Sequence, residues 1–186
     1  MVSIYDVGAE KQLFIDERWF ATKQGFRLTV NPPVKKERVM IPEEPWEAKG
    51  IHAYSTVLED DGIYKMWYDA IPLQSSGVPR SICYATSEDG IHWERQYVNL
   101  FNFPGMPRNS VVMPGTNGSV MIDPNGSDEH RFKCLALITE NEFWKDSKGS
   151  ICGQYEGYDK EYWCELYLCT SPDGIHWHRQ SPSAPC

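Results

Sequence analysis

The chain has 186 residues and carries 18 basic against 26 acidic side chains, a formal net charge of −8. This balance argues against a nucleic-acid partner, because a protein that grips a phosphate backbone usually presents a basic face. No apolar run approaches the ~20 residues that span a bilayer, and the first six residues lack the basic and apolar regions of a signal peptide. We therefore expect one cytoplasmic globular domain that binds neither nucleic acid nor membrane.

Two short segments near the N-terminus, 13–16 and 26–30, have the apolar and β-branched composition of strands. They lie in a lead-in that we assign to residues 1–50. The pattern predicts N-terminal strands here, ahead of the first regular unit of the chain.

The next region, 51–100, predicts four antiparallel strands. Segments 55–58 and 63–68 flank Asp61-Gly62, a dipeptide typical of a tight hairpin. A third strand is expected at 81–86 and a fourth at 91–95. The spacing is that of a compact meander.

An internal repeat links this region to the end of the chain. Residues 86–96 return at 170–180, an offset of 84, and the two copies differ only at Glu88/Pro172 and Glu94/His178. Such self-similarity indicates one structural unit used twice. The second unit, 101–186, accordingly predicts strands at 118–122, 131–137 and 163–169, with an insertion at 139–161.

The middle strands of both units are apolar on both faces. This pattern favours sheets that are covered on both faces by neighbouring sheets over a sheet with one face exposed to solvent. Four-stranded sheets of this kind are β-propeller blades. A propeller needs at least about four blades, so the fold expected is an all-β, incomplete five-bladed β-propeller with two blades plus N-terminal strands. We expect a truncated, N-terminal part of a larger propeller, whose open blade faces favour self-association.

Several segments resemble one known group of proteins in their order along the chain. The motifs are Leu-Phe-Ile-Asp at 13–16, Pro-Trp-Glu at 45–47, Lys-Met-Trp-Tyr at 65–68, the segment 83–93 and Arg-Phe-Lys at 131–133. Together they resemble the five-bladed β-propeller glycoside hydrolases, the invertase-like and arabinanase-like enzymes. The resemblance spans about residues 12–180.

The resemblance implies hydrolysis of a glycosidic bond by paired carboxylates around a central pocket. The residues themselves carry no metal-ligand or cofactor motif, so we expect no metal and no cofactor. In that family the carboxylates tend to lie where each innermost strand begins. Here those positions hold His52, Tyr54 and Asn117, which we predict to bind the substrate. The missing carboxylates leave an alternative open, a non-catalytic carbohydrate-binding or protein-interaction propeller, and hydrolysis is expected only of a complete propeller.

Strand order then sorts the remaining candidates by face, because the loop after the second strand and the link between blades share the face on which the family pocket opens. On this basis Glu47 and Asp69 are predicted to be catalytic, as acid or base, or to bind sugar hydroxyls. Asp16 is the third predicted catalytic residue, because its strand could reach the propeller axis, although an edge strand fits it equally well. Trp46 and Trp144 are predicted to stack on sugar rings, although the insertion around Trp144 also fits an acidic solvated loop. The repeated aspartates Asp89 and Asp173 are predicted to be hairpin corners.

Overall fold

The computed structural model describes residues 6, 8–9, 12–76, 78–103, 105–139 and 164–180. The chain divides into two compact units, Met1–Glu37 and Arg38–Cys186. Helical structure in the described residues is confined to three short 3₁₀ turns, Pro45–Glu47, Gln74–Ser76 and Asp128–His130. Among these same residues, no helix has the length and apolar character needed to cross a membrane.

The first unit contains neither strand nor helix in its described part, so the strands expected at 13–16 and 26–30 are not formed. The Asp16 carboxylate accepts hydrogen bonds from the backbone N–H and the Nε of Arg18, both at 3.0 Å. Such a local turn competes with the extended pairing that a strand requires. Ring contacts with centroids 5.7 and 4.7 Å apart join three phenylalanines of this unit, Phe14, Phe20 and Phe26.

The second unit begins with sheet 1, whose antiparallel strands follow chain order: β1 (Gly50–Asp60), β2 (Ile63–Ile71), β3 (Ser81–Ser87) and β4 (Glu94–Arg95). Asp61 and Gly62 form the turn between β1 and β2, with φ of 55° and 80°. Both positive values are those that a two-residue Asp-Gly hairpin requires. A further strand that the pattern does not predict, β5 (Val111–Pro114), pairs with the other end of β3 and shares the edge with β4.

Sheet 2 repeats this arrangement with β6 (Thr116–Ile122), β7 (Phe132–Thr139), β8 (Cys164–Ser171) and β9 (His178–Arg179), again antiparallel and in chain order. The predicted all-β class and the two antiparallel sheets are therefore confirmed. The insertion expected at 139–161 falls almost entirely outside the described residues.

The repeated segments form two corners with the same hydrogen bonds. In the first corner the Ser87 hydroxyl accepts from the N–H groups of Asp89 and Gly90 at 3.3 and 2.9 Å. Oδ1 of Asp89 accepts from Ile91 and His92, both at 2.8 Å. The same four bonds have the same lengths in the second corner, among Ser171, Asp173, Gly174, Ile175 and His176. The corner role expected for the two aspartates is thus what the structure shows.

The corner also explains why the fourth strand is shorter than expected. The N–H groups of Ile91 and His92 are bound to the Asp89 carboxylate and are not available to pair with β3, so β4 begins only at Glu94. The His92 ring contacts the same carboxylate at 2.6 Å, and this contact, with the backbone N–H donors, holds the pKa of Asp89 far below its ordinary value.

The two sheets pack face to face and share a core. Sheet 1 contributes Trp67, Ile82 and Tyr84, and the facing residues of sheet 2 include Phe132, Cys134, Ala136, Tyr167, Cys169 and Trp177. Polar contacts cross the same junction: Arg131 of sheet 2 donates to the buried Asp60 carboxylate of sheet 1. The Thr56 hydroxyl accepts from the N–H of Val120 at 3.2 Å.

The far faces of the two sheets differ. A second core covers the far face of sheet 1, where Met66, Tyr68 and Cys83 pack against residues that precede β1, lie in the loop between β2 and β3, or link sheet 1 to sheet 2. These residues are Trp46, Val78, Phe103, Met106 and Val111. On the far face of sheet 2, four large apolar side chains are exposed: Met121, Leu135, Leu166 and Leu168. We call these four residues the outer leucine face.

Candidate functional site

Five polar residues meet where both sheets begin, at one end of their junction. His52 lies on β1 opposite Asp69 of β2, and Arg80 directly precedes β3. Thr116 and Asn117 open β6 of sheet 2. We call His52, Asp69, Arg80, Thr116 and Asn117 the polar cluster. It joins the two sheets through side chains from both of them.

Asp69 is the centre of this cluster and is 1% exposed. Its carboxylate accepts a short hydrogen bond from the Thr116 hydroxyl and a bond from the Asn117 N–H at 3.1 Å. Nη2 of Arg80 lies at 3.4 Å and Nδ1 of His52 at 3.9 Å. Burial raises the pKa of Asp69 above its ordinary value, although the bonds from Thr116 and Asn117 oppose the shift.

The rest of the cluster reaches the surface above this buried carboxylate. The side chains of His52 and Arg80 are 41% and 38% exposed, and Asn117 is exposed as well. Nη2 of Arg80 lies 3.3 Å from Nδ1 of His52. Tyr54 stands edge-on to the His52 ring with centroids 4.5 Å apart. The surface therefore combines aromatic edges with a cation and a carboxamide.

Irregular pairing of the two innermost strands shapes this end of the junction. The register of β1 against β2 shifts between His52 and Thr56, and that of β6 against β7 shifts between Thr116 and Ser119. Asn117 has a φ of +56° inside the second irregularity. Bulges of this kind re-aim side chains next to functional sites, and here they bring β6 against the end of β2.

The matching place in sheet 2 has no carboxylate. The 84-residue offset and the strand registers align Asp69 with Leu137: Asp69 pairs with Ile82, and Leu137 pairs with Leu166, which lies 84 residues after Ile82. The buried carboxylate at the centre of the polar cluster is therefore present in sheet 1 and is not part of the repeat.

Glu47 lies on the opposite face of sheet 1 and is fully buried. Oε1 accepts from the Tyr68 hydroxyl at 2.7 Å and from Nε of Arg95 at 2.8 Å. Oε2 accepts from Nη2 of Arg95 at 2.8 Å and from the Glu43 N–H at 3.0 Å. Burial alone would raise the pKa of Glu47, but these bonds, above all those from Arg95, bring it below its ordinary value.

The predicted pair Glu47 and Asp69 is thus not brought together. Tyr68, which binds Glu47, and Asp69 are consecutive on β2, so their side chains point to opposite faces of the sheet. Trp46 is 1% exposed in the second core, and its Nε1 has no hydrogen-bond partner among the described residues. Glu47 and Trp46 have the surroundings of structural residues.

Three of the predicted binding residues, His52, Tyr54 and Asn117, do lie together with Asp69. Asp16 belongs to the first unit and is held by Arg18, whose hydrogen bonds lower its pKa. Trp144 lies outside the described residues. Within the described ranges, no group of three or more His, Cys, Asp or Glu side chains has the arrangement of a metal site.

Sequence reasoning missed Arg80, Thr116 and Arg95. A signal for the first was present, because Arg80 ends the loop after β2, which strand order places on the same face as His52 and Asp69. Thr116 adjoins the predicted Asn117. The pairing of Arg95 with Glu47 joins residues 48 positions apart, and no local sequence pattern predicts it.

No family model matches the chain. Two uncharacterized proteins of Mycobacterium tuberculosis, from strains CDC 1551 and H37Rv, are each 27% identical to it over an alignment of 134 residues. The alignment covers 68% of this chain and 33% of each relative. The chain therefore spans about a third of the length of the curated relatives that it matches.

Solved structures similar to the chain include two proteins of Bacteroides ovatus. One is provisionally assigned as a glycoside hydrolase and superposes with a TM-score of 0.45 at 16% identity, over 81% of this chain and 41% of that protein. The other is named a glycosyl hydrolase and gives a TM-score of 0.37 at 17% identity, over 68% and 30%.

Proposed function

We propose that the two sheets are neighbouring blades of a five-bladed propeller of the glycoside-hydrolase type, and that the polar cluster binds a carbohydrate. The observation that carries this proposal is the arrangement around Asp69. A buried carboxylate holds residues of both sheets together, while His52, Tyr54, Arg80 and Asn117 stay partly exposed above it.

The exposed groups match the two kinds of surface on a sugar. The C–H faces of a sugar ring pack against aromatic side chains, and Tyr54 with His52 offers such a surface. Sugar hydroxyls need donors and acceptors, which the Arg80 guanidinium and the Asn117 carboxamide supply.

A second candidate function is hydrolysis of a glycosidic bond, and the raised pKa of Asp69 favours it. A general acid that protonates the leaving oxygen needs a carboxyl whose pKa is raised. Hydrolysis also requires a second carboxylate to activate water or attack the sugar. Within the described residues of the cluster, Asp69 is the only carboxylate, and it is 1% exposed. Binding is therefore our first choice.

Saturation-transfer NMR with arabinose, xylose, fructose, galactose and glucose at millimolar concentration tests the binding proposal. We expect transfer to at least one sugar, and its loss in Tyr54→Ala and Arg80→Ala. Arg38→Ala, which removes an exposed arginine distant in sequence from the cluster, should leave the signal unchanged. Absence of transfer to every sugar, or equal loss in the Arg38 variant, would contradict binding at the cluster.

The hydrolysis candidate needs a separate measurement. Release of nitrophenol from the nitrophenyl glycosides of the same sugars reports cleavage directly. If hydrolysis occurs at the cluster, Asp69→Asn should abolish release while sugar binding persists. Binding without any release would leave the chain a carbohydrate-binding unit.

A further inference from the structure

The groups that a ligand meets at the polar cluster include a permanent positive charge. The exposed side chains are those of His52, Tyr54, Arg80 and Asn117. Arginine is always protonated in proteins and has five N–H donors and no acceptor. Asp69, the one carboxylate of the cluster, is 1% exposed. The accessible part of the cluster therefore carries a cation, in a chain whose formal net charge is −8.

The Asp69 carboxylate already accepts bonds from protein donors on both of its oxygens. Oδ2 accepts from the Thr116 hydroxyl, and Oδ1 and Oδ2 lie 3.1 and 3.2 Å from the backbone nitrogen of Asn117. Nη2 of Arg80 is a further, longer donor at 3.4 Å. Because it is buried and bonded in this way, the carboxylate offers little to the hydroxyl groups of a ligand.

The contact between His52 and Arg80 assigns the proton of the imidazole to one nitrogen. Nδ1 of His52 lies 3.3 Å from Nη2 of Arg80. A guanidinium only donates, so Nδ1 accepts this bond and the proton of the neutral ring lies on Nε2. His52 therefore adds a second donor beside Arg80, on a side chain that is 41% exposed.

The Arg80 guanidinium keeps donors for a ligand. Within the described ranges, its hydrogen bonds to Asp69 and His52 are both made by Nη2. The side chain is 38% exposed. A guanidinium binds a carboxylate through two parallel N–H···O bonds, and its rigid fork matches the two oxygens of that group better than it matches a single hydroxyl. The ligand group that suits Arg80 best is therefore a carboxylate.

The aromatic surface and the cation are neighbours because His52 contacts both. Tyr54 is 54% exposed and stands edge-on to the His52 ring, with centroids 4.5 Å apart. Nδ1 of the same ring contacts Arg80. In a uronic acid the carboxylate is attached directly to the sugar ring. A ring packed against Tyr54 would therefore hold its carboxylate close to its own aromatic contact, on the side of His52 and Arg80.

We propose that the polar cluster selects a uronic acid, with Tyr54 packed on the sugar ring and Arg80, together with Nε2 of His52, bound to the sugar carboxylate. Arg80 is then the residue that determines specificity. The proposal rests on the carbohydrate binding proposed above and adds the charge of the ligand to it. A neutral sugar meets the same aromatic surface but lacks the charge-assisted bonds, which are stronger than bonds between neutral groups.

Matched pairs of sugars test this preference, with glucuronate against glucose and galacturonate against galactose. Each is titrated into the native chain by NMR at neutral pH and low ionic strength. The members of a pair differ only in whether the terminal carbon is a carboxylate or a hydroxymethyl group. We expect at least one uronate to bind at least about fivefold more tightly than its neutral partner, and added salt to reduce the difference. The methyl ester of that uronate should bind like the neutral sugar.

The ratio of the two dissociation constants separates recognition by Arg80 from a structural effect. Arg80→Gln should abolish the preference, because the carboxylate loses its cation, whereas damage to the fold would weaken both sugars together and keep the ratio. Arg80→Lys retains the charge without the fork and should keep part of the preference. Arg38→Gln, at an exposed arginine distant in sequence from the cluster, should keep all of it.

Three outcomes overturn the proposal. Equal affinity of the native chain for the uronates and the neutral sugars would leave sugar binding in place and remove the selection by charge. Displacement of the uronate by an equal concentration of acetate would assign Arg80 to small anions, without recognition of a sugar. Binding of neither uronate nor neutral sugar would remove this proposal together with the carbohydrate binding on which it rests.

Discussion

The indole N–H of Trp67 in sheet 1 donates to the main-chain carbonyl oxygen of Gly174 in the second corner, at 2.6 Å. The same oxygen accepts from Nε1 of Trp177 at 2.9 Å. One carbonyl of the repeated corner thus joins the two sheets through two tryptophans. In the first corner the Gly90 carbonyl accepts from Trp93 at 3.1 Å.

Replacing Gly174 with alanine should be far more destabilising than replacing Gly90. Both glycines have positive φ, +80° and +74°, so both variants carry the same backbone strain. A Cβ at Gly174 would lie 2.5 Å from the buried Trp67 ring, whereas one at Gly90 meets Tyr64 at 3.7 Å. Urea unfolding of the two variants should therefore differ by at least about 1 kcal/mol. Equal losses would mean that the sheets do not meet at this corner.

The ion pair between Asp60 and Arg131 should make stability fall in acid. Hydrogen bonding by Arg131 and Lys65 outweighs burial and lowers the pKa of Asp60 from 3.8 to about 2. Because the folded pKa is depressed, the stabilisation, about 2 kcal/mol at pH 7, is lost as pH falls from about 4 through about 2.

Asp60→Asn should remove that stability at neutral pH and flatten the profile between these pH values, as measured by urea unfolding across pH. Asp61→Asn is the matched control, because it removes the neighbouring carboxylate. Asp61 lies in the turn with a φ of 55°, a conformation that asparagine tolerates. A profile for Asp60→Asn parallel to that of the unmodified chain would disprove the assignment.

Arg95→Met should be strongly destabilising because it leaves the buried Glu47 carboxylate without its cation. Removing one partner of a buried ion pair typically costs about 3–5 kcal/mol. Glu43→Gln alters an exposed partner of the same arginine and should change the unfolding free energy by less than about 0.5 kcal/mol. A loss below about 1 kcal/mol for Arg95→Met would argue that Glu47 is not a structural anion.

Asp69→Ala should loosen the polar cluster and weaken sugar binding. It removes the acceptor of the Thr116 hydroxyl and of the Asn117 N–H, and each unpaired buried donor costs about 1–3 kcal/mol. Asp128→Ala, at an exposed carboxylate of a 3₁₀ turn, should change neither stability nor binding. Full binding in the Asp69 variant would place the ligand elsewhere on the chain.

Local patterns predicted the strands and corners because their causes are local. Asp61-Gly62 is a hairpin by backbone chemistry alone, and the repeat fixed the second corner once the first was understood. The strand β4 was predicted too long. The sequence pattern assigned Ile91 and His92 to it, but their N–H groups bind the Asp89 carboxylate. The strand expected at 13–16 failed for a similar reason, since the Asp16 carboxylate binds the backbone N–H and the Nε of Arg18.

The site was predicted only in part because its contacts join distant residues. The resemblance pointed to His52, Tyr54 and Asn117, strand order pointed to Asp69, and all four lie at one end of the junction. Strand order also placed Glu47 on this face. The structure separates the two carboxylates, because Tyr68, which binds Glu47, and Asp69 are consecutive on β2 and point to opposite faces of the sheet. That last contact depends on how the 3₁₀ turn Pro45–Glu47 packs on sheet 1, which no periodicity in the sequence encodes.

Leu137 occupies the position in sheet 2 that Asp69 occupies in sheet 1. Two sheets of the same architecture therefore differ in their chemistry. The number of sheets therefore does not give the number of ligand sites. Leu137 has no carboxylate, so it cannot accept hydrogen bonds from hydroxyl and amide donors as Asp69 does. Within the described residues, chemistry of this kind occurs at one end of a single junction, so the architecture repeats without repeating the site.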